Sequence, residues 1–343
     1  MPNTKAMHIS GKSVTTLIIN NAVLILLVAI SLAVGILREN FFSWQNLGNL
    51  ISNMAPRFII ALGVSGCLIA KGTDLSAGRS AGLAACLSAT FLQRTDFASK
   101  VYPELGDMNM LLILAGVIVV TMVFGAINGS VVSFLRVPPF IATLGMMTIV
   151  YGVCLVFTGA QPIGGLREDY MDIARLGIDI QMPVGGVFKL PYLGFIALAC
   201  GLLMWFIYNK TAHGKYIYAI GGNEAAAEGN GINTRRTKII IFATAGALYG
   251  LAGFLLGAKA GGTSVNVGMG WELEAIAGCT IGGVSTNGGI GRVSGILIGV
   301  LVFELLKIAM QFMGIEPSYT YIVQGLVIVL AVALDMRKHV ARK

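Results

Sequence analysis

The run MNMLLILAGVIVVTMVFGAINGSVVSFL, from Met108 to Leu135, carries no charge over 28 residues. Roughly 20 apolar residues cross the hydrocarbon core of a bilayer as a helix, so this run predicts a transmembrane span. Asp107 precedes it and Arg136 follows it, and Pro138 and Pro139 then force a turn. The rest of the chain is built the same way. Of its 343 residues 56% are apolar and 12% charged, and the mean hydropathy is +0.80. Soluble chains carry roughly 25% charged residues. The deficit excludes a large soluble domain, a disordered chain, a coiled coil and a nucleic-acid binder with a broad basic face.

Reading outward from Met108–Leu135, similar runs predict further spans. They are Ser13–Leu37, Ile51–Ala70, Ser80–Gln93, Val137–Gly159, Leu190–Asn209, Ile239–Ala258, Ala275–Gly291, Val293–Gly314 and Ser318–Leu334. The expected architecture is all-α: one polytopic membrane domain, 1–343, of about ten transmembrane helices. Two places are broken or short. KGTDLSAGR, Lys71–Arg79, separates the second and third spans, which join at Lys71–Ser76 or form one interrupted helix with a re-entrant element. Glycine interrupts residues 275–291. Residues 161–190, punctuated by Pro and Gly, read as an extramembrane loop, and 209–238 as the longest soluble loop on the opposite side.

An even number of spans puts both termini on one side. With the termini inside, 15 of the 24 Lys and Arg fall on that face, Arg79 among them, and eight on the other, with Lys307 inside a span. Cytoplasmic loops are enriched in Lys and Arg, so the net charge of +8 reflects topology. Both termini are therefore expected in the cytoplasm, with 161–190 on the outer face.

Catalytic chemistry has little material here. Gly11-Lys12-Ser13 lacks the first glycine of a phosphate-binding loop, since Ala6 stands there. The three histidines (His8, His213, His339) lie near cytoplasmic ends, and the five cysteines sit in apolar stretches with no CxxC pair, so no metal site is indicated. The small-xxx-small pairs Gly125/Gly129 and Gly246/Gly250, and the triple Gly291, Gly295, Gly299, predict tight helix packing.

The segment IYAIGGNEAAAEGNGINTRRTK, Ile217–Lys238, is the most informative. Gly221 and Gly222 permit a sharp turn. Asn223 suits an N-cap and Glu224 the first turn of a helix. Ala225, Ala226 and Ala227 propagate that helix, which Gly229 and Gly231 stop, ahead of Ile232. The residues describe a short exposed helix with an alanine face, either a docking element or a solvated connector.

This segment resembles the cytoplasmic coupling region of permeases from ATP-binding-cassette sugar importers, the branch with the ribose, xylose and galactose systems. IIALGVSGCLIAKGTDLSAGRSAGLAA (Ile59–Ala85), PPFIATLGMMTIVYG (Pro138–Gly152) and ELEAIAGCTIGGVSTNGGIG (Glu272–Gly291) resemble three more segments of the same family, in order. GTDLSAGR, with Thr73, looks most like the galactose/methyl-galactoside branch. The resemblance implies a homodimer in the bacterial inner membrane with a central pathway for a monosaccharide. It also implies a periplasmic sugar-binding protein on the outer face and a separate ATP-binding subunit, holding ATP and Mg, at Gly221, Gly222, Asn223, Glu224, Ala226, Ala227, Gly231 and Ile232. This chain itself would bind no cofactor and catalyse nothing. A ribose or other pentose permease is the alternative.

A pathway for a neutral, many-hydroxylled ligand needs scattered hydrogen-bonding groups. Asn53, Thr73, Asp74, Ser76, Asn128 and Ser285 are the polar candidates at membrane depth. Asp74 and Ser76 are also ordinary helix caps, and Glu304 and Lys307 can pair on one helix face. Glu272 and Glu274, beside Trp271, are expected at the outer mouth, solvated or facing the binding protein. Trp44 and Trp271 read as boundary anchors. An ion-coupled carrier would need buried carboxylates, for which only Asp74 and Glu304 are available.

Overall fold

The computed structural model describes residues 22–183 and 185–340. Lys5, Gly11–Ser13, the predicted start of the first span at 13–21, Arg342 and Lys343 lie outside them. In hydrocarbon only a helix or a closed barrel satisfies every backbone N–H and C=O, and the charge-free runs are accordingly helical. In chain order the helices are α1 (Ala22–Leu37), α2 (Trp44–Ile69), α3 (Ala77–Phe91), α4 (Met110–Phe134), α5 (Pro139–Thr158) and α6 (Glu168–Arg175). After the strands β1 (Gly177–Gln181) and β2 (Val187–Pro191) come α7 (Tyr192–Lys210), α8 (Ala212–Gly222), α9 (Glu224–Gly229) and α10 (Thr234–Ala260). The last are α11 (Trp271–Ile281), α12 (Val293–Phe312) and α13 (Pro317–Val340).

Among the described residues six helices, α2, α4, α5, α7, α10 and α12, are long and apolar enough to cross a membrane, and α1 and α13 contain shorter apolar stretches, Leu24–Leu37 and Ser318–Ala333. The two expected irregularities are α3 and α11, of 15 and 11 residues. At 1.5 Å per residue they are about 22 and 16 Å long, well short of the roughly 30 Å hydrocarbon core. Non-helical segments, 70–76 and 261–270, precede them. The protein is an all-α polytopic membrane protein, and the expected ten is reached only by counting α1, α13, α3 and α11 with the six long helices.

Two faces are defined by what α2 touches at its ends. The ring of Trp44 lies 6.0 Å from that of Phe188 in β2. Lys71, just past the other end, donates to the carbonyl of Gly222 in α8 (3.3 Å). One face therefore carries α6 and the hairpin, the other α8 and α9. Asn287, between α11 and α12, reaches the Met336 sulfur (3.3 Å) and brings the end of α13 to the α8–α9 face.

The stretch 161–190 is more ordered than a plain loop. It holds α6 and an antiparallel hairpin with Gly177 opposite Pro191. Tyr170 of α6 is fully buried and donates to the carbonyl of Phe254 in α10 (2.6 Å). Bridges Gln93–Leu166 and Ile163–Thr263 fasten its start.

The glycine pairs mark two seams. A Cβ added to Gly125 would fall 2.1 Å from the Phe242 carbonyl oxygen, and one on Gly246 2.2 Å from that of Thr121, so α4 and α10 meet backbone to backbone. Gly295 and Gly299 bring α12 against α11 equally closely, at the carbonyls of Gly282 and Gly278. Arg79 departs from expectation. It lies in α3, 8% exposed, donating to the Val265 carbonyl (2.9 Å) with its guanidinium 4.2 Å from the Tyr151 ring centre. Arg57 and Lys259 likewise belong to α2 and α10, not to outer loops. With these three set aside, ten basic residues among the described residues belong to the α8–α9 side and six to the opposite side.

Candidate functional site

The break between α2 and α3 is built from GTDLS. Lys71 takes a left-handed conformation (φ 61°) and Gly72 donates back to the Cys67 carbonyl (2.7 Å), which ends α2. Asp74 Oδ1 accepts from the Ser76 amide (2.9 Å) and hydroxyl (2.6 Å), and the Tyr249 hydroxyl donates to Oδ2 (3.2 Å). Asn128 Nδ2 donates to the Ser76 hydroxyl (3.0 Å). Thr143 Oγ1 donates to the Thr73 carbonyl (3.0 Å) and accepts from the Leu75 amide (3.1 Å). Ser76 is the N-cap residue of α3, but its hydroxyl serves Asp74 and not the helix. Four candidate pathway residues, Thr73, Asp74, Ser76 and Asn128, are thus brought together. Asp74, Ser76 and Asn128 are buried, and the cluster pins the break to α4, α5 and α10.

The other two candidates lie apart. Ser285 is buried between α11 and α12, where its hydroxyl accepts from the Asn287 amide (3.2 Å). Asn53 faces α10, and its Oδ1 accepts from the Lys259 ammonium.

One turn below Asn53 is a group of charges that charge-free runs conceal. Arg57 Nε donates to Glu274 Oε2 (3.0 Å), and its Nη1 lies 3.3 Å from the Glu304 carboxylate. Lys307 Nζ completes the ring, 2.6 Å from Glu274 and 3.1 Å from Glu304. The Arg57 guanidinium sits 4.3 Å over the centre of the Trp271 ring. The expected Glu304–Lys307 pair is present, but it is half of a four-residue network joining α2, α11 and α12. Glu274 is not solvated at a mouth; it is the shared acceptor of two cations. Glu272 is buried too, 4% exposed against α3, because its turn of α11 begins inside the bundle. Trp271 packs its ring against the Arg57 guanidinium. The signal available in the sequence was Arg57 itself: a cation inside an apolar helix needs a partner. The space between Arg57, Trp271, Glu274 and Glu304 amounts to about 10 Å³, the scale of one water.

At the other face α8 and α9 meet at Asn223. The turn falls there, and Gly221 and Gly222 form the last residues of α8. The Asn223 side chain accepts from the Ala226 amide (3.1 Å), the expected cap. Gly229 ends α9 and Gly231 follows in the left-handed region (φ 83°). Gly222, Asn223, Glu224, Ala226 and Gly231 are exposed, Ile232 is half-buried, and Gly221 and Ala227 are buried. Gly221 is needed for close approach, since a Cβ there would fall 1.7 Å from the Ile69 carbonyl oxygen and 2.5 Å from the Gly289 nitrogen. Gly289 in turn donates to the Ile69 carbonyl (2.8 Å). The α8–α9 corner therefore rests on the end of α2 and on the loop after α11. Beside it opens a cavity of about 550 Å³ lined by Lys71, Arg136, Arg235, Glu224 and Glu228. Among the described residues no cluster of His, Cys, Asp or Glu could hold a metal ion.

Residues 46–332 match the family described as branched-chain amino acid transport system / permease component. The chain is 41% identical to the galactose/methyl galactoside import permease protein of Escherichia coli K12 over 88% of this chain and 90% of that protein. It is 40% identical, with the same coverage, to the protein of that name in Haemophilus influenzae. With the ribose import permease protein of Escherichia coli K12 it shares 34% identity over 98% of this chain and 96% of the other. No solved structure matches.

Proposed function

Since the chain belongs to the branched-chain amino acid transport system / permease component family, we propose that it is the membrane subunit of an ATP-driven importer for galactose or a methyl galactoside. The observation that carries the sugar is the 41% identity to galactose/methyl galactoside permeases, against 34% to a ribose permease. The physical features agree with a subunit that conducts and is driven by another. The sequence has no phosphate-binding loop, so ATP and Mg belong to a separate ATP-binding subunit. The exposed part of Gly221–Ile232, around Glu224 and Ala226, docks that subunit, and its seat on Ile69 and Gly289 carries the motion to α2 and α11. Two copies form the pathway, a soluble sugar-binding protein delivers the ligand at the hairpin face, and the α8–α9 face with both termini lies in the cytoplasm of a bacterial inner membrane, as the basic asymmetry supports.

Liposomes holding this chain and its ATP-binding subunit, supplied outside with a galactose-binding protein, test the reading. The expected result is galactose uptake and ATP hydrolysis that each require all three components, with ribose uptake at background. Uptake by this chain alone on an ion gradient overturns it. Preference for ribose with a ribose-binding protein moves the assignment to the pentose branch.

A further inference from the structure

At the hairpin face, above the Arg57 network, α2, α10 and α12 diverge around a cavity of about 370 Å³, within the roughly 300–1,000 Å³ range of small-molecule sites. Its walls include Gln45, Asn49, Ser52 and Asn53 of α2, Gln311 of α12 and Lys259 of α10. Gln45, Asn49 and Ser52 recur at i, i+4 and i+7, a single stripe along α2. A stripe of carboxamides and hydroxyls on a membrane helix is costly against lipid, so it marks a wet surface. Among the described residues the side chains of Gln45, Asn49, Ser52 and Gln311 make no hydrogen bond to protein. Pro56 has no N–H and so leaves the Ser52 carbonyl without its helical donor. No carboxylate lines the cavity, and its one cation, Lys259, is already bonded to Asn53. Ile308 and Phe312 supply an apolar strip.

We propose that this cavity is an entry subsite for a neutral polyhydroxylated ligand. The unoccupied carboxamides and the freed carbonyl meet ring hydroxyls, and the Ile308–Phe312 strip meets a C–H face. The Arg57–Glu274–Glu304–Lys307 network lies one turn of α2 further in, where Arg57 Nη1 donates to the Asn53 carbonyl (3.3 Å). The site is weak, because few of its groups are fixed in advance and the ligand must pass on. The inference rests on the transport reading above and assigns the residues that first receive the sugar.

All five native cysteines are buried, which permits single-cysteine probes in the full chain assembled with its ATP-binding subunit in liposomes. Asn49→Cys and Gln311→Cys are exposed to a membrane-impermeant thiosulfonate, with Gln181→Cys in β1 as a reference outside the cavity. Both cavity cysteines react, and galactose at ten times a millimolar-range Kd slows them about tenfold while Gln181→Cys is unaffected. Reaction that galactose does not slow overturns the subsite and leaves an unoccupied water-filled recess. Failure of both cavity cysteines to react, with Gln181→Cys reacting, also overturns it and shows the stripe covered by lipid or by the second copy. Galactose uptake by the unsubstituted complex, supplied outside with the galactose-binding protein, is measured in parallel. Uptake without protection rejects the subsite alone, whereas no uptake rejects the transport reading.

Discussion

Arg57 and Glu274 are 217 positions apart in the chain and 3.0 Å apart in space. The pair ties the middle of α2 to the first turn of α11, and Lys307 and Glu304 extend the tie to α12. Removing one member of such a pair strands the other. Glu274→Ala is expected to cost about 2–4 kcal/mol, the lower part of that range reflecting the partial exposure of Arg57, and to leave both cations competing for Glu304. Thermal unfolding of the purified protein reads the loss. Combined with Arg57→Ala the cost should fall well short of additive. Strict additivity would mean that the contact carries no coupling.

The two glycines at the end of α8 should separate packing from docking. Gly221→Ala drives a methyl into the Ile69 carbonyl and should reduce the yield of folded protein. Gly222→Ala meets no atom within 4 Å and should fold normally. Ala226→Arg, on the exposed face, should fold normally and abolish sugar-dependent ATP hydrolysis. Normal uptake with Ala226→Arg would remove the docking role from this helix.

Asp74 tests the buried cluster. Asp74→Ala deprives the Ser76 amide and the Tyr249 hydroxyl of their acceptor at a site sealed from water, at about 1–3 kcal/mol for each group left unpaired. Asp74→Asn keeps one acceptor oxygen and should be markedly milder. Size-exclusion profiles and unfolding temperatures order the variants. A stable Asp74→Ala protein that no longer transports would instead put Asp74 in the conducting path.

Orientation is checked at the two faces. Val340→Cys should resist an impermeant thiol reagent in intact cells and react once the inner face is opened, whereas Gln181→Cys should react from outside at once. The reverse pattern would invert the topology and place α8 and α9 outside.

The spans were legible because hydrocarbon leaves a charge-free run of 20 residues one solution, as in α4 and α5. The Asn223 cap and the Gly229–Gly231 stop were legible because capping is local. What escaped was set by distant partners. The span read as Ile51–Ala70 encloses Arg57, but nothing local names its partners, whose carboxylates lie in α11 and α12. Asp74, Ser76 and Asn128 were picked out as polar residues in apolar surroundings, and the structure buries all three, but their partners Tyr249 and Thr143 come from other helices. The hairpin was missed because its strands are short and mostly exposed, with Ile178 and Ile180 facing out and no buried face to impose a clear alternation.

The shortness of α11 also bears on how the protein is made. A helix of 11 residues, preceded by the glycine-containing stretch 261–270 and opening on Glu272 and Glu274, does not partition into lipid by its own hydrophobicity. Its acidic turn becomes tolerable only once Arg57 is in place to meet Glu274, and its glycines need α12 to pack against. Membrane integration of the last third of the chain is therefore cooperative: α11 enters together with α12, after α2 is seated. A nascent chain halted before Val293 would keep residues 261–281 outside the bilayer and exposed to quality-control proteases.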